Sequence, residues 1–266
     1  MTAIASMFSR KCVATASDSF LTNAKNGDLI EARRPKIICS KPLTLTISYW
    51  GLARFGTFDT FNFLKNFTAE NRNASDHEEF AKQLSHELTV KIRSLRLNQN
   101  QRGVGVHLAF YENVGGKRIP ELILVSNFKD PTYSSTSDTV SFSRRTAVDL
   151  EKHPDFQGKP SRQEFLSWLE NHHVMRFNNG DPELFSSAAD AIMKMTMAIR
   201  ARGKFPKGSD YDAYRLWVRE PIETIKEVHR RVCPKKHRIV GGQIHDVLML
   251  PNGEFKTSSK AIPILH

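Results

Sequence analysis

Thr2 to Asp18 reads TAIASMFSRKCVATASD, and Pro35 to Gly51 reads PKIICSKPLTLTISYWG. In the first stretch, residues 2–9 and 11–17 read as two strands joined by a tight turn at Arg10. Ala, Ser, Thr and Val dominate both, and few side chains on either face require water, as in strands covered on both sides. In the second stretch, residues 36–40 and 43–49 form another β pair around Lys41-Pro42, which Gly51 ends. The polar residues 19–35 separate the pairs, with Asn26-Gly27-Asp28 as a turn signal.

Helices follow. Residues 57–66 carry Phe58, Phe61, Phe63 and Leu64. Ser75-Asp76-His77-Glu78 fits a capping box with Ser75 as the cap, and Phe80, Leu84, Leu88, Ile92 and Leu95 then recur at helical spacing. Residues 104–111 and 121–127 return to strand across a Gly115-Gly116 turn, and 139–142 offer a further strand. Ser161-Arg162-Gln163-Glu164 is a second capping box, opening a helix with Phe165, Trp168 and Leu169. Asp181-Pro182 reads as a cap and first helical residue, followed by an apolar stripe of Leu184, Ala188, Ile192, Met195 and Ile199. Pro221 opens another helix in the same way, with Ile222, Ile225 and Val232 inward and Pro234 stopping it. Residues 238–250 and 254–257 close the chain as a β pair around Pro251-Asn252-Gly253.

Strands grouped at both ends, with helices grouped between, argue for stacked sheets flanked by helices rather than alternating βαβ units. The expected fold is therefore α+β: a four-layer αββα sandwich of two mainly antiparallel sheets. One domain over residues 1–266 is expected, with an insertion or elaboration around 128–176.

Composition narrows the class. The 39% apolar and 25% charged fractions are those of a soluble globular protein, and no apolar run reaches the length of a membrane span. Cys12, Cys39 and Cys233 are odd in number and scattered, which points to free thiols and the cytoplasm. A net charge of +11 could attract nucleic acid. Its carriers, however, are dispersed as Arg33-Arg34, Arg144-Arg145, Arg230-Arg231 and Lys235-Lys236, without aromatics spaced for base stacking. A basic nucleic-acid-binding protein is thus the last of three readings.

The chemistry begins at Thr2. A small residue behind Met1 favours removal of the methionine, leaving a hydroxyl nucleophile and an α-amine base on one residue. Asp18 lies at the end of the second expected strand and Lys36 at the start of the third. These anchors resemble the N-terminal nucleophile hydrolases, and in particular proteasome β subunits and their simpler bacterial threonine peptidase relatives. Phe177-Asn178-Asn179-Gly180-Asp181-Pro182 resembles that family's Gly-Ser-Gly-x-Pro helix start, and Val240-Gly241-Gly242-Gln243-Ile244-His245-Asp246-Val247 resembles its late Gly-Gly strand.

The resemblance implies that Lys36 sits beside Thr2 as a cation, that Asp18 orients it, and that Gly51 offers a backbone N–H to the oxyanion. It implies a threonine-type peptidase or amidohydrolase that needs no cofactor or metal. It further implies a homo-oligomer, such as a ring, with the need for an activating ATPase left open. Asn179 stands where the family carries an accessory Ser, and the family's late Asp and Ser have no counterpart in residues 231–236. A sandwich that binds without turnover is accordingly the second reading.

Taken singly, these residues are commonplace: Asp18 as a turn residue, Lys36 as a solvated strand end, Gly51 as a turn glycine. The set carries the reading. His229, Cys233 and His237 share four-residue spacing, but Pro234 interrupts the helix between them and no fourth ligand is evident, so structural roles are expected. His172-His173 reads as a helix C-terminus, and Met193, Met195 and Met197 as core packing.

Overall fold

The computed structural model describes residues 3–22, 29–31, 33–99, 101–130, 135–145, 158, 160–170, 175–179, 187–188, 190–192, 194–195, 198, 210–232 and 240–266. Strands β1 (Ile4–Phe8) and β2 (Val13–Ser17) pair antiparallel with Ile4 opposite Ser17, and every residue in both is buried. Ser9 closes their turn, its Oγ accepting from the Cys12 N–H at 3.1 Å and from the Lys11 N–H at 3.2 Å. The stretch expected to be loop holds a small ribbon, β3 (Leu21–Thr22) against β4 (Leu29–Glu31). Its expected Asn26-Gly27-Asp28 turn lies outside the described residues.

Next come β5 (Ile37–Ser40), β6 (Leu45–Gly51) and a second ribbon, β7 (Arg54–Phe55) with β8 (Phe58–Asp59). Helices α1 (Thr60–Glu70) and α2 (His77–Ser94) lead to the long hairpin β9 (Val104–Val114) and β10 (Lys117–Phe128). Beyond it lie β11 (Thr136–Arg144), α3 (Arg162–Glu170), β12 (Met175–Asn179), α4 (Asp210–Val232), β13 (His245–Met249), β14 (Phe255–Thr257) and β15 (Ile264–Leu265).

The protein is a mixed α+β structure with two large, mostly antiparallel sheets. One runs β12-β1-β2-β13-β14 and the other β11-β10-β9-β6-β5-β15, with β15 on β5 as its parallel pairing. Period-2 alternation assigns the faces. Ala5, Met7, Ala14 and Ala16 of the first sheet pack against Trp217, Val218, Ile222 and Ile225 of α4. Phe8 and Val13, on its other face, meet Ala109, Tyr111 and Leu122 of the second sheet. The outer face of that second sheet, including Leu45, Ile47 and Tyr49, is covered by Leu64 of α1 and by Phe80, Leu84 and Leu88 of α2. β11 falls within the span 128–176 expected to be an insertion and β12 begins at its end; each is an edge strand of a main sheet.

Several boundaries differ from the sequence reading. Residues 57–59 do not begin α1: Phe58 and Asp59 form β8, and the Asp59 carboxylate caps the helix by accepting from the Asn62 N–H at 2.9 Å. The cap of α2 is Asp76 rather than Ser75, with its Oδ1 accepting from the Glu79 N–H at 2.7 Å. Both residues can cap, but a carboxylate makes the stronger, charge-assisted bond and complements the helix dipole. Asp76→Ala is therefore expected to cost about 1 kcal/mol in urea denaturation, and Ser75→Ala only a few tenths. The reverse order would restore the cap to Ser75. The Ser161 box forms as read: the Glu164 N–H donates to Ser161 Oγ at 3.2 Å, and the Ser161 N–H to Glu164 Oε2 at 2.7 Å.

Pro221 does not start a helix but sits inside α4. Its missing N–H and ring clash cost about 3 kcal/mol in a helix interior. The apolar stripe through Ala213, Trp217, Val218, Ile222 and Ile225 offsets that cost by burial. Ile222 and Ile225 face inward as expected, whereas Val232 is 71% exposed. Met195, expected inward, is 58% exposed, while Ile192 packs against the α4 core. The final long strand is shorter than read, beginning at His245.

Candidate active site

Asp18 follows the last residue of β2 and Lys36 precedes the first of β5, so the two strand ends bring their side chains together. Lys36 Nζ donates to Asp18 Oδ1 at 2.8 Å, and both side chains are fully buried. Three backbone N–H groups also converge on the carboxylate: Ala3 on Oδ1 at 3.0 Å, and Gly241 and Phe20 on Oδ2 at 3.2 and 3.3 Å. The buried anion is thus compensated by one cation and three donors, which burial of a charge demands. Burial pulls the Lys36 ammonium below its usual range, and the Asp18 charge and hydrogen bond push it partly back.

Gly241 lies in the stretch read as a late Gly-Gly strand. It is irregular chain, not strand, and it grips the Asp18 segment from both sides: its N–H donates to the carboxylate and its carbonyl accepts from the Ser19 N–H at 3.2 Å. A Cβ at Gly241 would come within 2.4 Å of the Phe20 ring, so glycine permits this approach.

Thr2 lies outside the described residues. Its neighbour Ala3 is buried against Asp18 and bonded to it in both directions, since the Asp18 N–H also donates to the Ala3 carbonyl at 3.1 Å. The described chain therefore unites Asp18, Lys36 and the residue after Thr2.

Gly51 ends β6 opposite Val104, at the same end of the sheet as Lys36, whose carbonyl accepts from the Tyr49 N–H at 3.2 Å. It has φ +84°, and a Cβ would lie 2.2 Å from the Gly103 carbonyl oxygen. Chain geometry alone requires glycine here.

Asn179 ends β12 opposite Ile4, two residues along the chain from Thr2. Its Nδ2 donates to His107 Nε2 at 2.8 Å. Gly180, Asp181 and Pro182, the rest of the expected helix start, lie outside the described residues, as do His172, His173, Cys233 and His237. His107 was not singled out from the sequence. Burial first, then the Arg145 charge, pull its pKa down to about 3, so the imidazole is neutral. The available signal was one ionisable side chain in the otherwise apolar run Val104-Gly105-Val106-His107-Leu108.

His245, opposite Ser17 on β13, is also buried and depressed in pKa by burial, with Asp18 and Lys36 among the charges it feels. Beside it, the Asp246 carboxylate is held by Arg219 at 2.8 Å and Arg215 at 3.2 Å, which fastens α4 to β13.

Elsewhere, the paired arginines read as dispersed charge make ion pairs: Arg34 with Asp59, Arg144 with Glu112, and Arg230 and Arg231 with Glu227. Cys12 and Cys39 are buried and outside any disulfide. Among the described residues, no group of three His, Cys, Asp or Glu could hold a metal, and no helix is long and apolar enough to cross a membrane. No protein-family model matches the chain, and neither does any curated protein.

Proposed function

We propose that the chain is a proteasome-like N-terminal nucleophile hydrolase that cleaves a peptide or other amide bond through Thr2. The observation that carries this reading is the fully buried Lys36–Asp18 pair, bonded to the backbone of the residue next to Thr2. A lysine stripped of water at a strand end has little structural purpose unless its charge is directed at something. An ammonium beside Thr2 would favour the alkoxide and lower the pKa of the α-amine.

The Thr2 amine takes the hydroxyl proton as Oγ attacks the substrate carbonyl. That proton then passes to the departing amine as the C–N bond breaks. Water hydrolyses the resulting Thr2 ester, releasing the acid and restoring the hydroxyl. Gly51 serves as the oxyanion N–H donor in this scheme. The enzyme works as a homo-oligomer in the cytoplasm.

Intact-mass measurement of the native chain tests the first requirement. Met1 should be absent, and a β-lactone should add one acyl group to wild type and none to Thr2→Ala. Retained Met1 blocks the amine and ends the proposal; labelling that survives Thr2→Ala assigns the nucleophile elsewhere. The second reading, a sandwich that binds without turnover, is favoured by Asn179, which stands at the family's accessory Ser and is engaged with His107.

A further inference from the structure

Where β9 begins, the chain reads Gly103-Val104-Gly105, which puts two glycines on one face of a central strand. Glycine weakens a strand, and inside one it marks a place where another group comes close. Here two rings do so. A Cβ at Gly103 would run into the Phe128 ring, reaching over from β10, and a Cβ at Gly105 into the Trp50 ring, reaching over from β6. The two rings lie within 6° of parallel, with centroids 6.4 Å apart. A strand advances roughly 6.7 Å over two residues, so the rings sit side by side, each over its own glycine. They form one flat aromatic floor.

A cavity of about 420 Å³ is lined by both rings, within the size range of small-ligand sites. Leu124 of β10 and Phe177 of β12 are further apolar walls, so both sheets contribute to it. Leu124, Phe128 and Phe177 are only half-buried there, which leaves apolar surface for a guest to remove from water. The cavity also reaches Asn179, which lies opposite Ile4, while Trp50 directly precedes Gly51. It therefore adjoins the frame of the candidate active site. Its charged rim is cationic on balance, with Lys129, Arg145 and Arg176 against Asp130.

We propose that this cavity is a specificity pocket for an aromatic side chain of a peptide, whose ring lies against the Trp50–Phe128 floor. Aromatic contact adds to the burial of the guest's apolar area, and a cationic rim suits the negative face of a ring. A saturated side chain of the same size would fill the space without a π face to offer. A lysine side chain would meet like charge. That the pocket selects a substrate rests on Thr2 being the nucleophile; that it binds an aromatic group does not.

The test uses the full-length Thr2→Ala chain, which lacks the nucleophile and keeps every wall named above. Isothermal titration is run with acetyl-Leu-X amides in which X is Phe, cyclohexylalanine, Ala or Lys. The Phe peptide should bind about tenfold more tightly than the Ala peptide and about threefold more tightly than the cyclohexylalanine peptide, with Lys the weakest. Trp50→Leu should erase the advantage of Phe over cyclohexylalanine. Leu124→Trp, which fills the cavity from a half-buried position, should bring Phe to within about twofold of Ala. Photolysis of acetyl-Leu-4-azidophenylalanine amide locates the site without any change to its walls: the label should fall on the peptides that hold Trp50, Leu124, Phe128 or Phe177. Equal binding of the Phe and cyclohexylalanine peptides, no binding by any peptide at millimolar concentration, or a label placed elsewhere would overturn the proposal. A Phe preference in a protein whose wild type is not acylated by β-lactone would remove the hydrolase reading and leave this one standing. Acylation without any preference would do the opposite.

Discussion

Lys36→Met is expected to abolish the acylation of Thr2 by β-lactone proposed above and to lower stability by about 3–5 kcal/mol. The magnitude follows from what the substitution leaves behind. Asp18 would remain fully buried, with its three backbone donors but without the cation 2.8 Å away. Removing one partner of a buried pair costs far more than replacing both. The double variant Asp18→Asn/Lys36→Met should therefore recover a large part of the stability in urea denaturation while remaining unlabelled. A single variant as stable as wild type would mean that the pair is not ionised in the folded protein. Proton linkage gives a second readout. Because burial holds the folded Lys36 below its ordinary value of 10.5, the unfolded chain carries the extra proton between those two values. Stability must then rise with pH across that window, up to the ordinary lysine value, and the rise should vanish in Lys36→Met.

Acid acts through His107 in the same sense and at a more accessible pH. The folded imidazole stays neutral down to about pH 3, whereas the unfolded one takes a proton below 6.5. Its contribution is fully present above pH 6.5 and is lost as pH falls towards 3, on the order of 5 kcal/mol over the window. His77 and His245, also depressed by burial, add to the trend, so the measurement is a difference. Stability plotted against pH for wild type and for His107→Leu should converge on acidification, the variant losing less. Parallel curves would mean that His107 is solvated or protonated in the folded state.

The sequence revealed more of the site's frame than of its walls. Asp18 and Lys36 could be read because each lies at the edge of an apolar strand, where a charge interrupts the pattern and marks the strand's end. The β pairs that hold them were legible for the same reason. α4 was misread because Pro221 looks like a helix start; only the packing of Trp217 and Val218 ahead of it keeps the helix continuous there. The α2 cap moved from Ser75 to Asp76 because the two neighbours compete and the carboxylate is the stronger acceptor. His107 escaped notice because its significance depends on Asn179, 72 positions away and brought near by the stacking of two separate sheets, which no local pattern encodes. β15 was missed because two residues give no periodicity.

That last strand bears on more than the sheet's edge. The Ile262–Leu265 segment packs Ile262 against Ile37, Cys39 and Val247 and lends carbonyls to the N–H groups of Cys39 and Lys41. The strand that begins just after Lys36 is therefore clasped on its outer side by a band of only a few rungs. A band that short can detach without unfolding the sheets. The position of the buried ammonium is thus answerable to residues more than 220 places later in the chain, and whatever frees or grips that band from outside would reset the alignment of Lys36 from a distance.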